Sequence, residues 1–209
     1  MEDSDREQLK AAISLVDRGQ IEAGRKILDD LLSSYPDDPV VLGTMGSIAL
    51  NDAEYARAEE LFNHALEAEP GFYPALVNKG ILLVNLGDIE GALPLYTRAI
   101  ELNSRYVEAY SNRGNALALL GRTEEALEDY KRALDIHPGF ADAHYNMAYT
   151  YSRLGRSEEA LEAVDHAVAI NPAHRSAWEL KMSLHLDRGD NRAAEVAQAQ
   201  IERIDNTAG

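Results

Sequence analysis

Residues 107–140 read VEAYSNRGNALALLGRTEEALEDYKRALDIHPGF, and the rest of the chain is written in the same grammar. Glycine falls at Gly121, Ala126-Leu127 follows five residues later, then come Ala133 and Pro138. Shifted by 34 residues, the stretch meets its own likeness: Gly-x-x-x-x-Ala-Leu recurs at 87–93 and 155–161. Alanine recurs at Ala65, Ala99 and Ala167, and proline at Pro36, Pro70 and Pro172, with Ser104 taking its place once. Fixed self-similarity at this period predicts a solenoid, in which each unit buries its apolar face only by stacking on its neighbours. Such architectures hold other molecules rather than transform them.

Counting back from each closing proline gives six repeats, 5–38, 39–72, 73–106, 107–140, 141–174 and 175–208, after an unstructured start at 1–4. Within a repeat, small residues at positions 8, 20 and 27 (Gly114, Ala126 and Ala133 in the fourth) let two helix axes approach closely. A larger residue at position 24, here Tyr130, fills the space they leave. Glycine at position 15 ends the first helix through a left-handed backbone that costs nothing without a Cβ. The proline near position 32 stops the second helix from running on. Thr123-Glu124-Glu125 and Ser157-Glu158-Glu159 are expected to supply capping hydroxyls and acidic charge at second-helix starts. Pro94 is expected within a helix's first turn, where a missing donor does least harm. Gly43 and Gly46 are expected to clear room for Leu28 and Leu31.

These residues resemble the tetratricopeptide repeat family, and the resemblance covers nearly the whole chain. The fourth repeat carries an aromatic at position 4 (Tyr110), Gly114 at 8, Ala126 at 20, Tyr130 at 24, Ala133 at 27 and Pro138 at 32. The first and last repeats depart, with Gly24 and Leu31 in one, and Gln198, Ile201 and Asp205 in the other. The resemblance implies an all-α fold: a right-handed α-solenoid superhelix of six antiparallel helix pairs whose first helices line a concave face. It also implies that positions 2, 5, 6, 9, 12 and 13 look into that groove. Members that grip acidic tails of heat-shock chaperones carry lysine at position 5. Here that position reads Leu9, Gly43, Val77, Ser111, Tyr145 and Glu179, so this two-carboxylate clamp is absent.

On the implied groove, Asn78, Asn112 and Asn146 fall at position 6 of three consecutive repeats. A primary amide both donates and accepts, so a ladder of them pairs with an extended peptide backbone without reading its side chains. Three such bonds, at about 0.5–1.5 kcal/mol each, need apolar contact beside them. Tyr145 and Tyr149, spaced i, i+4 on one helical face, supply it. Arg153 adds a cation suited to a carboxylate, and Asn115 a secondary polar contact. Tyr110, Tyr151 and Trp178 fall instead at packing positions 4 and 11.

Thirty-six acidic and twenty basic side chains leave a formal charge of −16. That balance repels phosphate backbones and disfavours nucleic acid as a partner. It draws a basic partner weakly, over a screening distance of about 8 Å. There is no cysteine, hence no disulfide, thiolate metal site or thiol nucleophile. The acidic start lacks an apolar signal region, and no apolar run approaches the ~20 residues that span a bilayer, so a cytoplasmic protein away from the membrane is expected. The six histidines share no metal-ligand spacing, and no phosphate loop or nucleophile elbow occurs. The expectation is a non-enzymatic scaffold or adaptor without cofactor, binding an extended peptide of another protein. The rivals are a structural protein assembling as a homo-oligomer through its end repeats, whose last helix (191–204) leaves an open face, and a regulatory module of a separate enzyme.

Overall fold

The computed structural model describes residues 1–207. Among these the chain forms twelve helices and no strand. They are α1 (Asp3–Asp17), α2 (Ile21–Ser34), α3 (Pro39–Asn51), α4 (Tyr55–Ala68), α5 (Tyr73–Asn85), α6 (Ile89–Leu102), α7 (Val107–Leu119), α8 (Thr123–Ile136), α9 (Ala141–Arg153), α10 (Ser157–Ile170), α11 (Arg175–Asp187) and α12 (Asn191–Thr207). The fold is an all-α repeat. Residue 208, the expected close of the sixth repeat, lies outside the described residues.

Odd and even helices pair through three-residue turns, and successive pairs are joined by four residues. The three-residue turns hold the left-handed position expected of glycine: Gly19, Gly87, Gly121, Gly155 and Gly189 have φ between 70° and 88°. The turn between α3 and α4 is the exception, because Ala53 takes φ 58° there. A Cβ in that conformation costs roughly 1–2 kcal/mol.

The helices gather into two compact units, Met1–Ala109 and Tyr110–Gly209. In unit 1, Phe62 and Tyr96 are buried against glycines of their own hairpins: a Cβ on Gly46 would stand 2.5 Å from the Phe62 ring, and one on Gly80 2.5 Å from Tyr96. Burying such a ring contributes about 1.5–3 kcal/mol, and the missing Cβ makes the approach possible. Unit 2 repeats the device with Gly114 and Tyr130, at 2.6 Å, and in its next hairpin shrinks the ring to a buried Val164 and enlarges the glycine to a buried Ala148. Positions 8 and 24 thus change size in opposite senses.

Four expectations are corrected. Gly43 and Gly46 clear aromatic rings rather than Leu28 and Leu31, since a Cβ on Gly43 would stand 2.9 Å from Phe72. Thr123 and Ser157 are the first helical residues, one place too late to cap; the N-cap positions are Arg122 and Arg156. Thr123 Oγ1 donates backwards to the Gly121 carbonyl. The helix starts are instead clipped by ion pairs, Arg122 to Glu125 at 2.6–2.7 Å and Arg156 to Glu159 at 2.5–2.8 Å. Side-chain caps do occur where aspartate precedes the helix, as at Asp38 and Asp88. Pro94 is the sixth residue of α6, beyond the free amides of the first turn, and its exposed ring leaves the helix one internal hydrogen bond short. Helix α1 begins at Asp3, so it takes in part of the expected unstructured start. Tyr35 holds that end, donating its hydroxyl to Asp5 at 2.5 Å.

Candidate functional site

In unit 2 the candidate residues Tyr145, Asn146, Tyr149 and Arg153 all stand on α9. The rings of Tyr145 and Tyr149 lie 6.4 Å apart, and the Tyr145 ring lies 4.9 Å from that of His174. His174 is fixed by the start of α11, where its Nδ1 accepts from the Ala177 amide, while Nε2 faces the Asp142 carboxylate at 3.3 Å. Partial burial pushes the Tyr145 phenol above its ordinary range, helped by Tyr149 and the Glu179 carboxylate. Tyr149 is 50% exposed. One turn on, exposed Arg153 makes no ion pair among the described residues, and a 100 Å³ hollow opens between it, Tyr149, Leu154, Ala118 and Thr123. An amphipathic ring in water beside a free guanidinium is chemistry suited to an apolar side chain with a carboxylate near it.

The asparagines stand in unlike surroundings. Asn146 is half-buried and makes no side-chain hydrogen bond among the described residues. Asn112 is half-buried on α7. Asn115 is committed to its own hairpin, because its carbonyl accepts the Tyr130 hydroxyl at 2.8 Å and so satisfies a phenol buried in the core. Burial also raises the pKa of that phenol. In unit 1, Asn78 donates to Ser47 Oγ at 2.8 Å, while Ser47 donates to the Gly43 carbonyl. That chain of bonds fixes the Asn78 amide at the edge of a 360 Å³ hollow walled by Ile13, Val16, Val40, Phe72 and Pro74.

Sequence reading missed Phe72, which walls the hollow in unit 1, and His174, which lies against the Tyr145 ring. Phe72 and His174 close the second and fifth repeats at position 34, and Tyr106 and Phe140 occupy the same place in the repeats between. This aromatic series was visible in the sequence. Its partner sits at position 5, which is Gly43 beneath Phe72 and Tyr145 beside His174. Of the residues assigned to packing, Tyr151 is buried at 7% exposed, whereas Tyr110 and Trp178 are half-buried, the Trp178 indole donating to the Pro172 carbonyl at 2.9 Å. Among the described residues no group of three His, Asp or Glu side chains is placed to hold a metal ion. No helix among the described residues is long and apolar enough to cross a membrane.

Models of the TPR repeat match residues 80–121 and 114–155, and models of the tetratricopeptide repeat match 9–74 and 141–174. The chain belongs to the tetratricopeptide repeat family. Its architecture is accordingly that of a protein–protein interaction scaffold. Among solved tetratricopeptide repeat structures it is similar to YrrB, described as a TPR protein with an unusual peptide-binding site, at 30% identity and TM-score 0.59 over 83% of this chain and 90% of YrrB. It is also similar to PilW, a type IV pilus biogenesis factor, at 19% identity and TM-score 0.83 over 97% of this chain and 94% of that one. A thermophilic TPR protein of Thermus thermophilus, TTC0263, gives 23% identity and TM-score 0.77 over 87% of this chain and 99% of that one. The last two likenesses speak to the fold alone. No curated protein matches the chain in sequence.

Proposed function

We propose that this scaffold binds an extended peptide of a partner protein on its first-helix faces. In unit 2, Tyr145, Tyr149 and Arg153 supply the anchoring contacts, with Asn112 and Asn146 pairing to the peptide backbone; Asn78, taken by itself, offers its carbonyl on the first-helix face of unit 1. The observation that carries this reading is the half-exposed Tyr149 ring beside Tyr145 and an unpaired Arg153. Half of that ring is left in water, and covering it with a ligand contributes roughly 2 kcal/mol. The cation selects a segment with an acidic side chain or a terminal carboxylate next to its apolar anchor. Asn115 contributes through its amide N–H groups only, its carbonyl being taken by Tyr130.

The test is an array of peptides with acidic and C-terminal apolar-acidic sequences, probed with the full chain. Peptides retained by the native chain should lose about 30-fold in affinity with Tyr145→Ala/Tyr149→Ala, and about tenfold with Arg153→Ala. Retention that ignores all three substitutions refutes the reading.

A further inference from the structure

The sixth hairpin departs from the size rule of the other five. Position 8 carries Met182 in place of glycine or alanine, and position 24 carries an exposed Gln198 in place of a buried large side chain. A 470 Å³ hollow opens there between α11 and α12, floored by Met182, Leu186, Ala194 and Ala199 and edged by Glu195 and Glu202. Leu186 is 51% exposed.

Within each unit the same face of an earlier hairpin receives a helix. In unit 1, α5 packs against both α3 and α4, and in unit 2, α11 packs against both α9 and α10. Each incoming helix brings a lysine to an acceptor on the receiving one: Lys79 Nζ donates to Asn63 at 2.7 Å, and Lys181 Nζ meets Asp165 at 2.6 Å. Receiving helices are apolar at position 28, as in Leu66, Leu134 and Val168, whereas α12 has Glu202 there and Glu195 seven residues before it. Seven residues are two helical turns, about 10.5 Å along the axis, so both carboxylates edge one side of the hollow. The face keeps its apolar floor and gains two negative charges.

We propose that this face of α11 and α12 is a docking surface for a single amphipathic, basic α-helix of another protein. The helix lays its apolar stripe on Met182, Leu186, Ala194 and Ala199 and brings lysine or arginine, two turns apart, to Glu195 and Glu202. Glu195 makes no ion pair among the described residues, and the polar partner of Glu202 is the neutral Gln198, at 3.0 Å. A second copy of this chain, at −16, meets the two glutamates with like charge. The surface is distinct from the tyrosine face, and its test is independent of that reading.

A displayed library of helical peptides, panned on the full chain, is the probe. Enriched sequences should be amphipathic, with lysine or arginine seven residues apart. A synthetic copy of one should bind in fluorescence anisotropy, more tightly at low salt than at high. Glu195→Lys/Glu202→Lys should weaken it at least ~10-fold and Met182→Glu by a similar factor, with helical content and melting unchanged, while Tyr145→Ala leaves it as it was. Three results would overturn the proposal. One is that no helical peptide is enriched over scrambled controls. Another is that the enriched peptides tolerate charge reversal. The third is that sedimentation shows the chain self-associating through this face, with the charge reversal dispersing it.

Discussion

Unit 1 and unit 2 build the same hairpin and spend its spare positions differently. At positions 5 and 34, unit 1 pairs Gly43 with Phe72 and leaves a deep apolar hollow, whereas unit 2 pairs Tyr145 with His174, fills that space with rings and turns Tyr149 out into water. At positions 7 and 23, unit 1 packs Met45 and Leu61, whereas unit 2 buries an ion pair in which Arg113 donates twice to Asp129 at 2.7 and 2.8 Å. Charge follows the same division. Met1–Ala109 carries twenty acidic and nine basic side chains, the remainder sixteen and eleven. The contrast teaches that the repeat fixes the backbone spacing through positions 8, 15, 20, 24 and 27 and leaves the others open to specialisation.

The largest expected effect tests the ion pair. The Asp129 side chain is only 7% exposed, so Arg113→Met should cost about 3–5 kcal/mol by stranding a buried charge. Arg113→Met/Asp129→Leu, which imports the chemistry of Met45 and Leu61, should recover most of that loss. Urea titration followed by circular dichroism measures both, and a double variant as unstable as the single would mean that the ion pair itself holds unit 2 together. Next comes the glycine–ring notch. Gly80→Ala should destabilise by about 1–3 kcal/mol through its clash with Tyr96, and Gly80→Ala/Tyr96→Val, the combination that unit 2 uses at Ala148 and Val164, should cost less than the two single changes summed.

Smaller effects sharpen the comparison further. Ala53→Gly should stabilise by roughly 1 kcal/mol, since it removes the one strained Cβ from the three-residue turns, and a lower melting temperature would contradict that account. The last concerns acid. In unit 2 the His144 imidazole is held below its ordinary pKa, first by burial and then by the neighbouring His166 ring, against a raising bond to the Pro138 carbonyl. The folded state therefore favours neutral His144. This contribution is complete above the ordinary histidine range and is lost as pH falls through the lowered folded value. Thermal melts from about pH 7 to pH 5 should fall more steeply for the native chain than for His144→Phe.

How much of this was legible in the sequence depended on how many residues shared each task. The Gly-x-x-x-x-Ala-Leu frame was readable because each repeat solves the same close-approach problem, and Gly114 with Tyr130 states that solution outright. The caps were misread because one residue of offset separates an N-cap from the first helical position, and Thr123 falls on the wrong side of it. The roles of Gly43 and Phe72 escaped because they are 29 positions apart in sequence, and only folding shows that one clears space for the other. Asn78, Asn112 and Asn146 form a regular series in sequence, yet bond partners decide what an amide can still offer, and Ser47 occupies Asn78 in a way no spacing reveals.

The short connections between helices carry an evolutionary consequence. Three residues within a hairpin and four between hairpins leave no slack to absorb an extra amino acid. One residue inserted into a helix rotates everything downstream by about 100°, swinging glycine notches away from their rings. Lineages descending from this gene should therefore gain or lose length in whole modules, and tolerate single-codon indels only beyond the helical array.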